Sequence, residues 1–116
     1  MTLQEASRRF HLNLKTLQLF ETSGLLKGNT TEAGKSDYKE SDLQRASQLH
    51  FLMNAGMDLH TLKRFAALCD AGENTNEEQV RILRKCRYQL LDEIHGKQQS
   101  LDRLDYLIYK KKKKKT

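Results

Sequence analysis

Apolar residues recur at helical spacing in five segments of the chain, and turn-forming residues separate those segments. Thr2 is placed to cap a first helix, and Asn13 to cap a second helix that Gly24 ends. Two helices joined by about three residues have the outline of a helix-turn-helix, although any antiparallel helical hairpin has the same spacing. The periodicity predicts helices over residues 3–10, 14–23, 42–54, 59–70 and 76–109.

The segment 27–38 does not follow this helical pattern. It is rich in Gly, Asn, Thr and Ser, and residues 30–31 and 35–38 could pair across Glu32-Ala33-Gly34. The sequence therefore predicts a small β-hairpin that would form a wing beside the first two helices. After this hairpin, Ser41 is expected to cap the third helix and Asp58 the fourth.

The last predicted helix carries apolar residues at a heptad period. No other segment is long enough to cover them, so a parallel or antiparallel coiled coil between two copies of the chain is expected. Arg87 and Lys97 interrupt the pattern and favour a single register. The apolar a and d positions, called the heptad stripe below, are Val80, Leu83, Leu90, Ile94, Leu101, Leu104 and Ile108.

The positive net charge of the chain comes from its C-terminal tail and does not indicate a basic surface on the folded helices. The formal net charge is +6, and the six lysines from Lys110 to Lys115 account for all of it. The rest of the chain is neutral, so the basic character belongs to a tail that we expect to be solvated. Such a tail adds only loose attraction to phosphates or anionic lipid.

Composition excludes several functional classes. No apolar run approaches the length of a membrane span, and the N-terminus lacks the features of a signal peptide. Cys69 and Cys86 are too few for a disulfide framework, so a cytoplasmic protein is expected. The chain contains no phosphate-binding loop, no nucleophile motif and no metal-ligand spacing, so we expect no enzyme activity, no metal and no other cofactor.

Four features occur in an order that resembles MerR-type transcriptional regulators. The first feature is a series of motifs in segment 3–26: Leu3-Gln4-Glu5-Ala6-Ser7, Leu12-Asn13, Leu17-Gln18-Leu19-Phe20-Glu21 and Gly24-Leu25-Leu26. The others are the stretch Tyr38-Lys39-Glu40-Ser41-Asp42-Leu43, the stretch Ala55-Gly56-Met57-Asp58-Leu59, and the long last helix. The resemblance covers residues 2–109. It implies an antiparallel coiled-coil homodimer whose two heads read adjacent major grooves of promoter DNA. The implied partners are double-stranded DNA, a second copy of the chain and RNA polymerase.

The sequence departs from the family pattern where DNA is contacted. The family's Arg-Tyr-Tyr is Gln18-Leu19-Phe20 here, and the Tyr-Arg pair of the wing is Lys35-Ser36. Arginine binds phosphate bidentately, which glutamine and serine cannot do. Leu17 and Phe20 are expected in the core. The residues expected to contact DNA are Arg8, Arg9, Lys15, Thr16, Gln18, Lys35, Ser36 and Tyr38.

The predicted fold is all-α in the main. A winged helix-turn-helix head of four helices with a small β-hairpin spans residues 1–72, a dimerisation coiled-coil helix spans 73–109, and a disordered lysine tail spans 110–116. The predicted function is a homodimeric DNA-binding transcriptional regulator acting on a palindromic promoter site. The alternative is a helical protein-interaction module that keeps this fold without binding DNA, which the lost arginines and the neutral body support.

Overall fold

Five α-helices and two short strands make up the described part of the protein. The computed structural model describes residues 1–30 and 36–113, without the side chains of residues 29, 30 and 36. A short 3₁₀ turn over Glu73–Thr75 joins the fourth helix to the fifth. The elements are α1 Leu3–Arg9, α2 Leu14–Ser23, β1 Asn29–Thr30, β2 Ser36–Asp37, α3 Glu40–Asn54, α4 Leu59–Ala71 and α5 Asn76–Lys113.

The predicted helix caps of α1, α2 and α4 are present. Thr2 Oγ1 accepts a hydrogen bond from the Glu5 backbone N–H at 3.2 Å, and Asn13 Oδ1 accepts one from Lys15 at 2.8 Å. Asp58 Oδ1 accepts from the Thr61 backbone N–H at 2.7 Å, and hydrogen bonding from Thr61 lowers the pKa of the Asp58 carboxyl. These caps satisfy backbone donors that the first helical turns leave without partners.

The start of α3 differs from the prediction. The helix begins at Glu40 with Lys39 as its N-cap residue, so the expected cap at Ser41 is wrong. The Asp42 carboxylate reaches back from the first turn and accepts a hydrogen bond from the Lys39 backbone N–H at 3.1 Å. An acidic side chain inside the helix therefore satisfies the donor that a serine cap was expected to serve.

The end of α5 also differs from the prediction. We expected the helix to stop at Tyr109 and the lysine tail to be disordered from residue 110, but α5 continues through Lys113. The first four lysines therefore extend the helix, and cations at a helix C-terminus are favoured by the macrodipole. Residues 114–116 lie outside the described part of the chain.

The predicted hairpin is described only at its base. β1 pairs antiparallel with β2, with Asn29 opposite Asp37 and Thr30 opposite Ser36. The predicted turn at residues 32–34 lies outside the described residues. Beside the pair, the Tyr38 backbone N–H donates to the Met1 carbonyl at 3.0 Å, which ties this segment to the start of α1.

One apolar core holds α1 to α4 together as a head. Leu17 and Phe20 are fully buried on α2, which confirms the core position predicted for both. Arg45 adds a polar tie from α3 to the end of α4, where its guanidinium pairs with Asp70 and donates to the Ala66 carbonyl at 2.7 Å. The remaining fully or nearly buried residues of this core include Ala6, Leu12, Leu26, Leu43, Ala46, Leu49, Leu52, Met57, Leu62, Phe65 and Ala66.

The head packs against only one flank of the first half of α5. Gln79 Nε2 donates to the Leu68 carbonyl at 3.4 Å, and Ile82 packs against the core. Cys86 is the one buried residue of the described part of α5, with its Sγ 4.0 Å from the Ala55 carbonyl oxygen. The 38 residues of α5 rise about 57 Å, so its second half projects beyond the head. Among the described residues, no helix is both long and apolar enough to cross a membrane.

Two glycines offer a matched test of this packing. A Cβ at Gly28 would lie 2.7 Å from the Tyr38 ring and 2.8 Å from the Asp37 carbonyl oxygen, whereas one at Gly96 would meet nothing within 4 Å. We expect Gly28→Ala to lower the free energy of unfolding by about 1–3 kcal/mol through overpacking. Gly96→Ala should raise it by about 0.5–1 kcal/mol, because glycine weakens a helix interior.

Urea unfolding at a fixed protein concentration measures both changes. Equal stability of Gly28→Ala and wild type would mean that Tyr38 moves away without cost, and would contradict the close packing of this segment.

Candidate nucleic-acid interface

One face of α2 is exposed while the opposite face is anchored in the core. Lys15 and Gln18 are exposed, and their spacing of three residues places them on the same side of the helix. Leu17 and Phe20 point the other way and are fully buried. Because the buried residues fix the rotation of α2 about its axis, the exposed side chains are held in a defined direction. Thr16 lies at the edge of this face and is half-buried.

The exposed face contains two residues that the sequence did not single out. Leu19 is 39% exposed and Thr22 is exposed, and both share the side of α2 that carries Lys15 and Gln18. The spacing of 15, 18, 19 and 22 is itself the signal that could have found them. We call Lys15, Gln18, Leu19 and Thr22 the α2 face. It combines one cation, one amide, one hydroxyl and one apolar side chain, which is a set able to contact both phosphates and base edges.

The two arginines of α1 lie in its last turn and are exposed. The Arg9 guanidinium lies 3.5 Å from the Glu40 carboxylate and 5.7 Å from the centre of the Phe10 ring. An ion pair between two such exposed side chains contributes little to stability. Arg9 can therefore exchange Glu40 for an external anion at small cost.

The hairpin residues give a different result. Lys35 and the side chain of Ser36 lie outside the described residues. Tyr38 was expected to contact DNA, but its ring is 4% exposed and packs in the core against Gly28. Its hydroxyl is buried, and it has no hydrogen-bond partner among the described residues. In this structure Tyr38 is thus a core residue beside the β1–β2 pair, and its burial contradicts the expectation that its side chain contacts DNA.

Neither cysteine forms part of a metal-binding cluster among the described residues, where no three His, Cys, Asp or Glu side chains come together to hold an ion. Cys69 is exposed with its Sγ 3.6 Å from Gln79 Oε1, and partial burial raises the pKa of its thiol. Cys86 is buried between α5 and the end of α3. The contacts of Cys86 are those of a packing residue.

The heptad stripe remains exposed to solvent along α5. Every one of its seven residues has between 37% and 57% of its surface accessible. Residues at this spacing lie along one side of a helix, and the head packs on the neighbouring flank rather than on the stripe. Both the α2 face and the heptad stripe along the long helix are thus uncovered in the described part of the chain.

Comparison with known proteins identifies the family. Residues 1–68 match the family described as MerR HTH family regulatory protein. The chain is also 30% identical over 108 residues to an uncharacterised HTH-type transcriptional regulator of Haemophilus influenzae, a match that covers 92% of this chain and 80% of that protein. The chain belongs to the MerR family of transcriptional regulators, which confirms the family that its motifs indicated.

Solved structures agree with this assignment. The fold is similar to that of a protein from Listeria monocytogenes assigned to the same family, with a TM-score of 0.80, 29% identity, and coverage of 93% of this chain and 83% of that one. It is similar to HiNmlR, described as a MerR family regulator lacking the sensor domain and bound to promoter DNA, with a TM-score of 0.79 and 30% identity. That likeness covers 91% of this chain and 81% of HiNmlR.

The buried hydroxyl of Tyr38 yields a test by substitution. An unpartnered buried hydroxyl costs desolvation energy without a compensating bond, so Tyr38→Phe should leave the free energy of unfolding unchanged or raise it by up to about 1 kcal/mol. Tyr38→Ala, which empties the same site, should lower it by about 3–5 kcal/mol. Thermal and urea unfolding of both variants measure the difference. A loss above 1 kcal/mol in Tyr38→Phe would show that the hydroxyl makes a bond and would contradict this placement.

Proposed function

We propose that this regulator binds a palindromic promoter site as an antiparallel homodimer, with α2 of each protomer in the major groove. The observation that carries the proposal is the α2 face, which is exposed, polar and held in orientation by Leu17 and Phe20 on the opposite side. A second helix that presents such a face is the element that helix-turn-helix proteins place in the groove. The likeness to a relative described as bound to promoter DNA supports the same use here.

The proposed contacts divide into phosphate and base contacts. Lys15 lies in the first turn of α2, where the helix dipole favours an anion. Lys15 and Thr16 are therefore assigned to phosphate oxygens, with Arg8 and Arg9 assisting from α1. Gln18 is assigned to an adenine edge, to which its amide can donate and accept together. Lys35 and Ser36 are proposed to reach the backbone from the hairpin, acting as a wing.

Few cations serve these contacts. Each neutralised phosphate releases counterions and adds to the affinity for DNA at low salt. A protein whose residues before the lysine tail carry no net charge therefore gains less affinity from counterion release than a basic protein does. We therefore expect weaker binding overall than arginine-rich helix-turn-helix heads achieve. Sequence preference would then rest mainly on base contacts such as that of Gln18.

The heptad stripe is proposed to pair two chains in antiparallel orientation. In a parallel pair, Arg87 would face Arg87 of the partner subunit, and Lys97 would face Lys97 of the partner subunit. The two lysine-rich C-terminal ends would also lie side by side. An antiparallel pair whose twofold axis passes near Ile94, the midpoint of the stripe, separates these like charges. It also brings Lys110–Lys113 of one helix beside the acidic first turn of the other, Glu77 and Glu78.

The proposed function includes a cytoplasmic location. Binding to a promoter would also bring the protein into contact with RNA polymerase. The alternative of an interaction module without DNA binding has less support. It rested on the missing arginines, whereas a relative that shares 30% identity with this chain is described as bound to promoter DNA.

The dimer is tested by placing charge in the stripe. Ile94→Asp would bury an unpaired carboxylate at the proposed axis, twice in each dimer, so the variant should sediment as a monomer or unfold. Tyr88→Asp is the matched control, because Tyr88 is exposed and outside the stripe, and it should remain dimeric. Analytical ultracentrifugation over a dilution series separates the cases. A wild-type protein that is a compact monomer at micromolar concentration would overturn the dimer.

Two substitutions test the DNA contacts, because one should reduce the salt dependence of binding and the other should reduce the preference for the selected sequence. Lys15→Ala should weaken binding to every duplex alike and reduce the slope of log affinity against log salt by about 0.9 per protomer, while Lys15→Arg should keep that slope. Gln18→Ala should keep the slope and lose about 1–3 kcal/mol of preference for the selected site.

The selected site is obtained by enrichment from random duplexes, and fluorescence anisotropy at several salt concentrations measures each variant on that site and on a scrambled duplex. No binding by the wild type at low salt would favour the interaction module instead.

A further inference from the structure

Among the described residues, five large hydrophobic side chains are exposed outside both the heptad stripe and the α2 face, and two of them, Phe51 and Leu107, carry no polar group; the other three are Tyr88, Tyr106 and Tyr109. Phe51 on α3 is 66% exposed, and Leu107 near the end of α5 is 52% exposed. Leu107 directly precedes Ile108, an a position, so it occupies a g position and flanks the stripe. Burial of both side chains against a partner surface would remove their apolar area from water, which is favourable.

The head occupies the same flank of α5 as Leu107. The g positions that face the head are Gln79, which bonds the end of α4, and Cys86, which lies against Ala55. Glu93, the next g position, lies beside Gly56, where its carboxylate is 3.9 Å from a Cβ built at that glycine. The head therefore sits on the g flank of the first half of α5, and Leu107 extends that flank into the second half.

Antiparallel symmetry brings these flanks together. In an antiparallel pair the twofold axis is perpendicular to the plane of the two helices, so the g flanks of both helices lie on the same side of that plane. The partner's Leu107 then faces the side on which the head sits. In a parallel pair the axis runs along the helices, and the partner's g flank would lie on the opposite side.

Phe51 and the partner's Leu107 also lie at similar positions along the axis of α5. α3 runs antiparallel to α4, because Arg45 pairs with Asp70, and α4 runs antiparallel to α5, because the Leu68 carbonyl meets Gln79. α3 is therefore roughly parallel to the first half of α5. Phe51 lies one turn before Ala55 on the same side of α3, at about the level of residue 82 of α5. With the axis at Ile94, residue 82 is opposite residue 106 of the partner, next to Leu107.

We propose that Phe51 of the head is a docking site for the partner's Leu107, so that the dimer interface extends from the heptad stripe onto the DNA-binding head. The proposal rests on the antiparallel homodimer proposed above. The occupant is a second copy of this chain, and the lysine-rich end that follows Leu107 continues past the acidic residues Glu77 and Glu78. Each dimer contains two such contacts, one at each head, because the twofold axis repeats them.

A single tryptophan can report this contact. The chain contains no tryptophan, so Phe51→Trp introduces a unique fluorophore at the docking site. In the dimer its emission should be blue-shifted and protected from acrylamide quenching. Dilution to monomer, or the added substitution Ile94→Asp, should shift the emission to the red. In the Phe51→Trp background, Leu107→Ala should also expose the fluorophore, whereas Tyr106→Ala, on the outer side of α5, should not.

Dimer affinity gives a second measurement. Phe51→Ala and Leu107→Ala should each raise the dimer dissociation constant by roughly tenfold or more, and the double variant should add little to either, because both remove the same contact. Tyr106→Ala should leave the constant unchanged. Circular dichroism checks that each variant keeps its helices, which is expected because all three residues are exposed.

The outcomes separate this inference from the dimer itself. A stable dimer in which the tryptophan at position 51 stays exposed, or stays buried after Leu107→Ala, overturns the docking site and leaves the dimer standing. Additive effects of Phe51→Ala and Leu107→Ala also overturn it. A wild-type protein that does not dimerise overturns both proposals together.

Discussion

The main physical constraint on this molecule is the limited burial of α5 within its own chain. The head covers one flank of the first half of this helix, with Cys86 as its single buried residue among those described, and the heptad stripe beside that flank stays in water. A 38-residue helix with so little covered surface gains little stability from packing within its own chain. The proposed pairing with a second copy would supply the missing burial, and because the head is fixed to α5, it would also fix the two heads relative to each other.

The orientation of α2 follows from the head core. Leu17 and Phe20 anchor one side of the helix, the Asn13 cap defines its first turn, and Gly24 ends it with φ of 83°. Because its helix is held in place, the α2 face would lose little conformational entropy on binding DNA. Less of the affinity supplied by its few cations would then be spent on ordering the helix. In the proposed complex with DNA, this rigid placement would compensate for the arginine side chains that the sequence lacks, and it would favour base contacts, which need accurate geometry.

The sequence could predict those parts of the fold that depend on local chemistry. The caps Thr2, Asn13 and Asp58 were predictable, because capping is decided within a single turn. The heptad period likewise located α5. Tyr38 was assigned wrongly, since nothing in its neighbourhood of the chain tells that Gly28 makes room for its ring. Phe51 and Leu107 were missed for the same reason: their exposure depends on which flank of α5 the head occupies, and that is decided by contacts such as Ala55 with Cys86 far apart in sequence.

Dimer geometry also bears on which DNA the proposed regulator can read. The head contacts α5 from about Gln79 to Glu93, so the centre of its attachment lies roughly eight residues from an axis at Ile94. At about 1.5 Å per residue the two attachment centres are then roughly 25 Å apart along the coiled coil. In the proposed dimer, the two α2 faces would reach major grooves about 34 Å apart, the spacing of one DNA turn, if each face lies about 5 Å farther from the axis than its attachment centre. A docking contact between Phe51 and the partner's Leu107 would stiffen this arrangement, because it holds each head against the opposite helix as well as its own. Half-site spacing would then be set by α5, and base preference by the α2 face.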